Sequence, residues 1–516
     1  MKRNLVKAAA LMAVPAMLLA GCGSDTGNDS KAISNTQAVD DGHTQNGETD
    51  TSVLKDGEDT ELLVVFPGAS SAPASLAEVE NQINAIVKET MDAHVKLQII
   101  EWGAMTDQYN LMLSSGEKVD LMLSCDTKNY ALRGQLQDIQ DLVKTYAPGA
   151  YEVMSQYIDA CYVDGGLYGL PTFHDLANAV GLCCRTDILD AVGVDPETVK
   201  TWDDVAQLLD KVDAKYPDMN LLVPSGIGQG IMSALESSYF EVIEAGVGVV
   251  FDTEGTDIVN VYETDEFRKI CQMAADWNSK GYFMADSVTN TETRESLIKA
   301  GNSFGYIANI YPGFENQEST GCNTDMTCIS IEPAKAHTAS VTAGEWVVPT
   351  ACENPAKALA FLDLLYTNED VQNLFFYGIE GTDYVLKDEA QGIIAYPEGK
   401  DASSVGWINQ TWLTGNGAIA YKWESQDPQI WTKLKEFNDT AKKPSIFGFV
   451  YDTSNVKNEI TAIKNVQSKY LAILESGEAD VDSTINEFLN ELESAGIQDL
   501  VTDMQQQLSQ WQASKK

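Results

Sequence analysis

The chain has 516 residues, 44% of them hydrophobic, and a formal net charge of −43 at pH 7. This excess of Asp and Glu argues against a nucleic-acid-binding protein, because phosphate contacts require clustered Lys and Arg. It also disfavours adsorption of the polypeptide to an anionic membrane surface. A chain of this length and hydrophobic content can bury a large core and is expected to form more than one lobe.

The N-terminus has the pattern of an export signal. Basic residues precede an apolar run over 8–20, which is shorter than the roughly 20 residues needed to span a bilayer. The run ends in LAGC (residues 19–22), which resembles the lipobox of bacterial lipoproteins, in which the cysteine is diacylated and becomes the first residue. The resemblance implies that 1–21 is a signal peptide and that Cys22 is lipidated. The alternative is an ordinary cleaved signal with an incidental cysteine.

The segment after Cys22 is poor in residues that could form a core. From 22 to 60 the chain consists largely of Ser, Asp, Gly, Thr, Asn and Gln. Such a segment cannot bury enough apolar surface to offset the entropy of ordering. We therefore predict a lipidated, disordered tether over 22–60.

The other cysteines do not form a recognisable metal or disulfide framework. They are scattered, and the sequence has only four histidines, so we expect no metal site and no cofactor. Cys183 and Cys184 lie in an apolar run typical of a buried strand. Cys322 and Cys328 are close enough in sequence to close a loop disulfide, and this pairing stays open.

The first part of the ordered chain alternates between strand and helix patterns. In chain order these are a strand over 61–68, a helix over 76–87, a strand over 95–100, a helix over 105–113 and a strand over 119–124. This order predicts an α/β fold with a mainly parallel sheet. Because ligands bind beyond the carboxyl ends of such strands, we expect residues 69–71, 101–102 and 125–130 to border a cleft.

Helical patterns dominate the later chain. An N-capping Thr followed by acids predicts a helix over 201–212. Residues 354–378 are typical of two helices. Three amphipathic helices are predicted over 456–511, at the end of the chain.

Several stretches, in this order, resemble the family 1 extracellular solute-binding proteins of ABC importers, which bind carbohydrates. They are SSGEKVDLMLS, GGLYGLP, CCRTDILDAVGVDPETVKTWDDVAQLL, NSFGYIANIYPG and WVVPTACENPAKALAFLDLLYTNEDV. The stretches YGIEGTDYVL and FGFVYDTSNVKNEITAIKNV, and the ending AGIQDLVTDMQQQLSQWQ, are similar to the longer branch related to the LplA/LipO-type lipoproteins of Gram-positive bacteria. The resemblance covers nearly all of residues 61–513.

The resemblance implies an α/β, two-lobed periplasmic-binding-protein-like fold of type II, with hinge crossovers and an extra helical C-terminal region. Lobe 1 is expected to comprise 61–174 plus 345–385. Lobe 2 is expected to comprise 175–344 plus 386–516, including the C-terminal helices.

Sugar recognition requires flat aromatic faces and polar groups that bind hydroxyls. Trp102, Asp126 and Tyr130 follow predicted strands, and Trp412 lies in a Gly- and Asn-rich stretch that is typical of a surface loop. The resemblance adds Asp175, Asn309, Tyr311, Glu345 and Trp346 as ligand-binding candidates. Each also has a plain structural alternative, as a cap, a turn residue, a hinge residue or a core aromatic.

The resemblance implies a function as well as a fold. We expect a monomeric protein on the extracellular face of a Gram-positive cytoplasmic membrane, which captures a carbohydrate, most readily an oligosaccharide, by lobe closure and delivers it to ABC permease subunits. It is not expected to be an enzyme, since the GxSxG, HExxH and P-loop motifs are absent. The alternatives are a surface glycan-binding adhesin or sensor and, with less support, a glycoside hydrolase, for which two carboxylates among 77 acids are no specific signal. An acidic ligand could use Arg133, Arg185 or Arg294.

Overall fold

The computed structural model describes residues 52–251, 255–407 and 411–515. Its strands are β1 (Thr60–Gly68), β2 (Ala93–Glu101), β3 (Leu121–Ser124), β4 (Tyr162–Val163), β5 (Gly166–Leu167), β6 (Gly169–Pro171), β7 (Ala177–Arg185), β8 (Asn220–Leu222), β9 (Phe240–Glu244), β10 (Val247–Val250), β11 (Val259–Asn260), β12 (Ser303–Ile310), β13 (Met326–Ser330), β14 (Lys335–Ala336), β15 (Glu345–Val347), β16 (Val385–Asp388), β17 (Ile393–Ala395) and β18 (Lys422–Trp423).

The α-helices are α1 (Leu76–Thr90), α2 (Met105–Ser115), α3 (Thr127–Leu132), α4 (Gln140–Tyr146), α5 (Pro148–Met154), α6 (Thr186–Val192), α7 (Trp202–Lys215), α8 (Glu236–Tyr239), α9 (Asp265–Ser279), α10 (Arg294–Lys299), α11 (Phe314–Cys322), α12 (Thr338–Val341), α13 (Pro355–Thr367), α14 (Glu369–Tyr377), α15 (Ile430–Thr440), α16 (Lys457–Glu475), α17 (Val481–Ser494) and α18 (Ile497–Ser514). The predicted signal peptide, Cys22 and the tether as far as residue 51 lie outside the described residues.

The first lobe is built on a five-stranded sheet with the order β2-β1-β3-β15-β6. β1 pairs in parallel with β2 and β3, whereas β15 returns from far along the chain and is antiparallel to β3 and β6. Helices cover both faces, so β1 is apolar on both sides; Leu62, Val64 and Val65 are fully buried. The alternating strand and helix order predicted from the sequence is confirmed.

The second lobe contains a four-stranded sheet with the order β13-β7-β12-β8 and a three-stranded sheet with the order β11-β10-β9. Cys183 and Cys184 in β7 are fully buried, as predicted for this strand. Cys322 and Cys328 are both free thiols, and Cys328 Sγ lies 2.8 Å from Cys183 Sγ on the paired strand. The neighbour of Cys328 is therefore Cys183, and the Cys322–Cys328 pairing left open by the sequence is not formed.

The chain crosses between the two sheets at residues 172–176 and at 337–344, where β6 leads to β7 and β14 leads to β15. A third connection follows α15. Asn438 in α15 binds the first crossover, because its side chain accepts from Leu176 N at 3.1 Å and donates to His174 O at 2.7 Å.

The structure differs from the expected lobe boundary after residue 385. Trp407, Leu413 and Leu434 are buried in the core of the first lobe, and the sheet β16-β17-β18 packs beside α14. The described residues within 386–434 thus pack with the first lobe, although the sequence assigned them to the second. The segment has few periodic apolar residues, so its pattern did not indicate which core it would join.

Part of the expected tether is ordered. The Lys357 ammonium in α13 is 1% exposed and donates to Asp56 Oδ1, Glu58 O, Thr60 Oγ1 and Asp92 O at 2.9–3.0 Å. A buried cation requires such partners, and these contacts fix residues 56–60 against the first lobe. Local composition alone could not predict this distant lysine.

The three C-terminal helices were predicted from periodicity and lie at Lys457–Glu475, Val481–Ser494 and Ile497–Ser514. Their apolar faces join the core of the second lobe. None of the helices in the described ranges is long and apolar enough to cross a membrane.

Candidate functional site

Three adjoining cavities run between the two lobes, and we call them together the interlobe groove. Cavity A has a volume of about 650 Å³, cavity B about 660 Å³ and cavity C about 230 Å³. Cavities A and B share Tyr311, Gln317 and Ser340, and cavities B and C share Glu241, Val242 and Ala339. Cavities A and B are each within the range of small-molecule sites, about 300–1,000 Å³, so the groove can take an extended ligand.

Cavity A is the aromatic part of the groove. The first lobe contributes Phe376, Trp412 and Trp431, the second lobe Tyr311, and the first crossover Phe173 to Asp175. Trp412 stacks on Trp102, with ring centroids 6.2 Å apart and an interplanar angle of 14°. The two predicted tryptophans are thus brought together from strand β2 and from the distant loop before β18.

The other rings of cavity A are fixed by the backbone and by the crossover. Trp431 Nε1 donates to Ala420 O at 2.9 Å. The rings of His174 and Trp412 form a T-shaped contact, with centroids 5.9 Å apart and an interplanar angle of 74°, and His174 Nδ1 lies 3.4 Å from Asp175 Oδ1. Preformed aromatic faces of this kind lose little entropy when they cover the C–H face of a ring.

Cavity B is the polar part of the groove and is formed mainly by the second lobe. Asn309, at the end of β12, is exposed, and its Oδ1 accepts from Ser237 Oγ at 2.9 Å. The Tyr311 hydroxyl donates to Gln317 Oε1 at 3.0 Å, and burial raises its pKa above the ordinary value. The phenol therefore stays protonated, with an acceptor lone pair available.

The arginine of cavity B is already neutralised. Arg294 donates from Nε and Nη2 to the two oxygens of Glu318, at 2.9 and 2.8 Å, and from Nη1 to Ser225 O at 3.1 Å. The Tyr306 hydroxyl also donates to Glu318, which is 2% exposed. A bidentate pair this complete leaves Arg294 little capacity for an anionic ligand.

Cavity C lies where β3 and β15 meet the second lobe, and Glu345 is its buried acid. Glu345 is 2% exposed, and burial raises its pKa to about 7 although Thr127 and Cys161 stabilise the charged form. Burial also raises the pKa of Cys125 to about 11 and lowers that of Lys128. Asp126 is on the exposed rim, where it accepts from Asn129 Nδ2 at 2.6 Å.

Several groove residues carry a buried polar atom that has no hydrogen-bond partner among the described residues. These atoms are His174 Nε2, Asn178 Oδ1, His337 Nε2 and Glu345 Oε1. Leaving such atoms unpaired is unfavourable, so each calls for an explanation. A ligand with many hydroxyl groups would provide both donors and acceptors for them.

The structure separates the predicted site residues into two groups. Asp126, Asp175, Asn309, Tyr311, Glu345 and Trp412 line the groove, and Trp102 touches it through Trp412. Tyr130 and Trp346 do not line these cavities. Tyr130 is 3% exposed in the core beside β3, and fully buried Trp346 donates to Thr414 O and contacts Phe375.

The predictions for Tyr130 and Trp346 are corrected for different reasons. Trp346 follows Glu345 on a β-strand, and alternation directs neighbouring side chains to opposite faces. Tyr130 lies one turn into α3, on the face that packs against the sheet. Trp346 therefore points away from the cavity that Glu345 lines, and Tyr130 is buried in the core instead of facing the groove.

Other groove residues were not predicted. Trp431 and Gln426 line cavity A, and His337 lines cavity B, with its Nδ1 2.6 Å from Glu241 Oε2. Glu241 also accepts from Thr338 N at 2.9 Å. The only signal for Trp431 was its place beside an aromatic-rich loop, and the His337–Glu241 contact joins residues 96 positions apart, which no local pattern reveals.

Two α/β lobes joined by crossovers, with an open groove between them, define a two-lobed solute-binding protein. Residues 73–372 match the family described as bacterial extracellular solute-binding protein, and the chain belongs to this family. Residues 445–513 match a domain of unknown function.

Known proteins agree with this assignment over almost the whole chain. The chain is 26% identical, over 96% of each sequence, to a carbohydrate ABC transporter substrate-binding protein of Streptococcus pneumoniae serotype 4. The fold is similar to the N-glycan transport solute binding protein NgtS of S. pneumoniae, with a TM-score of 0.75, 23% identity and coverage of 89% of this chain and all of that one. An HMO-binding solute-binding protein of Bifidobacterium longum infantis is similar at a TM-score of 0.58, with 16% identity, covering 87% and 98% of the two chains.

Proposed function

We propose that this protein captures a neutral oligosaccharide in the interlobe groove and delivers it to the permease of an ABC importer. The observation that carries the proposal is the groove itself, in which the tryptophans of cavity A adjoin the amide, hydroxyl and imidazole groups of cavity B. Aromatic faces suit the C–H faces of sugar rings, and planar polar groups suit their hydroxyls. Two cavities of about 650 Å³ each provide space for several linked rings.

The charges in the groove favour a neutral ligand over a polyanionic one. Arg294 is paired with Glu318, and Arg133 and Arg185 do not line the cavities. Glu236, Glu241, Asp175 and other acids lie along the groove, and the net charge of the chain is −43. An anionic ligand would meet repulsion there. The name of the S. pneumoniae relative, a carbohydrate substrate-binding protein, supports the same ligand class.

Capture proceeds by lobe closure around the ligand. A ligand favours the closed form only through contacts made in that form, and the crossovers at 172–176 and 337–344 are the hinge.

The protein is attached to the membrane through a lipid on Cys22. Two acyl chains on this residue would anchor the acidic protein outside the cell, and the chain acts as a monomer beside its permease. In cells fed a labelled fatty acid, the wild-type chain should carry the label and sediment with membranes. The Cys22→Ser chain should lose the label and appear in the medium. A labelled Cys22→Ser chain, or an unlabelled wild type, would contradict lipidation at this residue.

The ligand class is tested by calorimetric titration of the chain beginning at Gly23 against Man5GlcNAc, shorter and longer neutral oligosaccharides, and oligouronides of equal length. We expect micromolar or tighter binding of a neutral length class, weak or no binding of the oligouronides, and unchanged sugar by mass spectrometry afterwards. Preferential uronide binding would contradict the proposal. Release of shorter products would instead support a glycoside hydrolase, and binding only to a polymeric glycan would support an adhesin.

A further inference from the structure

The matched region of unknown function, residues 445–513, is integrated into the second lobe. Ile463, Leu474, Phe488 and Leu500 of this region are at most 1% exposed and share one core with residues of α7 and α9. α16 and α17 both pack on α9. We call this segment the C-terminal region; it is part of the lobe rather than an appended domain.

The C-terminal region forms one wall of cavity C. Phe449, Val450 and Tyr451 line that cavity opposite residues 125–128 of the first lobe. The last helix of the region fixes this wall. The Tyr451 hydroxyl donates to Asp503 Oδ2 at 2.8 Å.

A second pair of contacts fixes the same wall through the backbone. Gln507 in α18 donates from Nε2 to Asp452 O at 2.9 Å and accepts from Asp452 N at 2.9 Å. Tyr451 through its side chain and Asp452 through its main chain are therefore both held against α18.

The end of α16 also supports the wall of cavity B. Glu475 and Ser476 are 3% and 0% exposed. Glu475 O accepts from Met232 N at 3.1 Å, and Ser476 Oγ accepts from Ile231 N at 3.2 Å. These amides belong to the segment 229–237, which contributes Gln229, Ser233, Glu236 and Ser237 to cavity B.

Side-chain contacts tighten the same junction. A Cβ at Gly230 would lie 2.2 Å from Glu475 Cβ, so the two backbones approach as closely as only glycine allows. The carboxyl groups of Glu236 and Glu475 lie at this junction and interact with each other. Burial raises the pKa of Glu236 to about 7 and raises that of Glu475 well above its usual range.

We propose that the C-terminal region is a working part of the ligand site, forming a wall of cavity C through 449–451 and holding the polar wall of cavity B through Glu475 and Ser476. Both residues are positioning residues, because they act through segment 229–237. The effect of the C-terminal region on ligand affinity rests on the proposed function. The structural support that Glu475 and Ser476 give to segment 229–237 does not depend on it.

The support is tested without any ligand by hydrogen–deuterium exchange of the chain beginning at Gly23. In Ser476→Ala the Ile231 amide loses its acceptor, and we expect exchange of the segment 229–237 to become about fivefold faster or more, with strand β1 unchanged. The matched control is Ser468→Ala, on the exposed face of the same helix. Unchanged exchange of 229–237 in Ser476→Ala would overturn the proposal.

The role in binding is tested with Man5GlcNAc, or with the neutral oligosaccharide that binds best in the titration panel. We expect affinity to fall at least fivefold in Glu475→Ala and in Ser476→Ala, and to stay within twofold of wild type in Ser468→Ala. Glu475→Gln should restore affinity relative to Glu475→Ala, because the amide has nearly the same shape as the carboxyl group and can donate a hydrogen bond to Glu236.

The outcomes distinguish the two proposals. In one outcome, the wild-type chain binds no sugar, but hydrogen–deuterium exchange of segment 229–237 becomes faster in Ser476→Ala. This result would refute the proposed function and would still establish that the C-terminal region supports the segment. Wild type that binds sugar, with equal affinity in Ser476→Ala and Glu475→Ala, would overturn the assignment of the C-terminal region to the ligand site.

Discussion

Trp412 is the residue on which the proposed sugar recognition depends most. Its ring stacks on Trp102, with centroids 6.2 Å apart, and forms a T-shaped contact with the ring of His174 at 5.9 Å. It is partly exposed in cavity A, whereas Trp407 from the same loop is 3% exposed and donates to Phe375 O. The Gly- and Asn-rich composition of this stretch predicted Trp412 as a ligand-binding candidate, and the structure brings its ring into cavity A. Contact between this ring and a sugar stays a prediction.

Replacing Trp412 by Ala removes the aromatic face of cavity A. We expect the affinity for the neutral oligosaccharide to fall about tenfold or more, equivalent to about 1.4 kcal/mol. The measurement is calorimetric titration. Trp423→Ala is the control, because Trp423 stacks on Tyr396 at 4.2 Å outside the groove, and it should bind as wild type does. Equal affinity in Trp412→Ala and wild type would contradict the placement of the sugar.

Glu345 makes stability depend on pH in a defined direction. Burial raises the pKa of Glu345 to about 7 from its ordinary value of 4.5, so between these pH values the folded chain holds a proton that the unfolded chain has lost. The stability that this group contributes is therefore fully present below about pH 4.5 and falls, by about 1.4 kcal/mol per pH unit, as the pH rises to about 7. Glu236 contributes in the same direction.

Glu345→Gln should remove the contribution of Glu345 to the pH dependence of the unfolding free energy. We expect urea unfolding between pH 5 and 8 to give a shallower decline of the unfolding free energy than in wild type. Glu89→Gln, an exposed substitution on α1, should leave the slope unchanged. A slope that is identical in Glu345→Gln and wild type would show that the carboxyl ionises in the folded chain as it does in the unfolded one.

At the scale of elements, periodicity predicted the parts of the structure that have strong apolar patterns. Strands β1, β2 and β3 and the three C-terminal helices were placed to within a few residues. The segment 386–434 has no such pattern, and its position on the first lobe depends on distant contacts such as Trp407 with α14. The place of β15 in the sheet was not predicted, because a three-residue strand has no period to read.

The turn after α16 offers a test of close packing between elements. Gly477 has φ +62°, and a Cβ there would lie 2.3 Å from Ala274 O, whereas Gly116 has φ +69° and open space around it. Gly116→Ala should lose about 1–2 kcal/mol through the left-handed backbone alone. Gly477→Ala should lose about 2 kcal/mol more, because overpacking is added. Thermal unfolding compares them, and equal losses would contradict the close contact.

At the scale of the whole molecule, the groove separates two lobes whose cores are distinct. Each lobe has its own apolar core, and the crossovers and the segment around Asn438 connect them. Phe447 and Val450 of the C-terminal region also pack against the first lobe, so lobe motion about the crossovers would leave the two main cores intact and would change these contacts. The family resemblance predicted this arrangement, whereas composition and charge only indicated a large, acidic, multi-lobed protein.

The most direct test of capture in the interlobe groove is a crystal structure of the chain with its best-binding neutral oligosaccharide. We predict sugar rings against Trp412 and Trp431, hydroxyls within hydrogen-bond distance of groups such as Asn178 and His337, and lobes closer together than in the ligand-free protein. A sugar bound outside the groove, or bound between lobes that have not moved, would contradict the account.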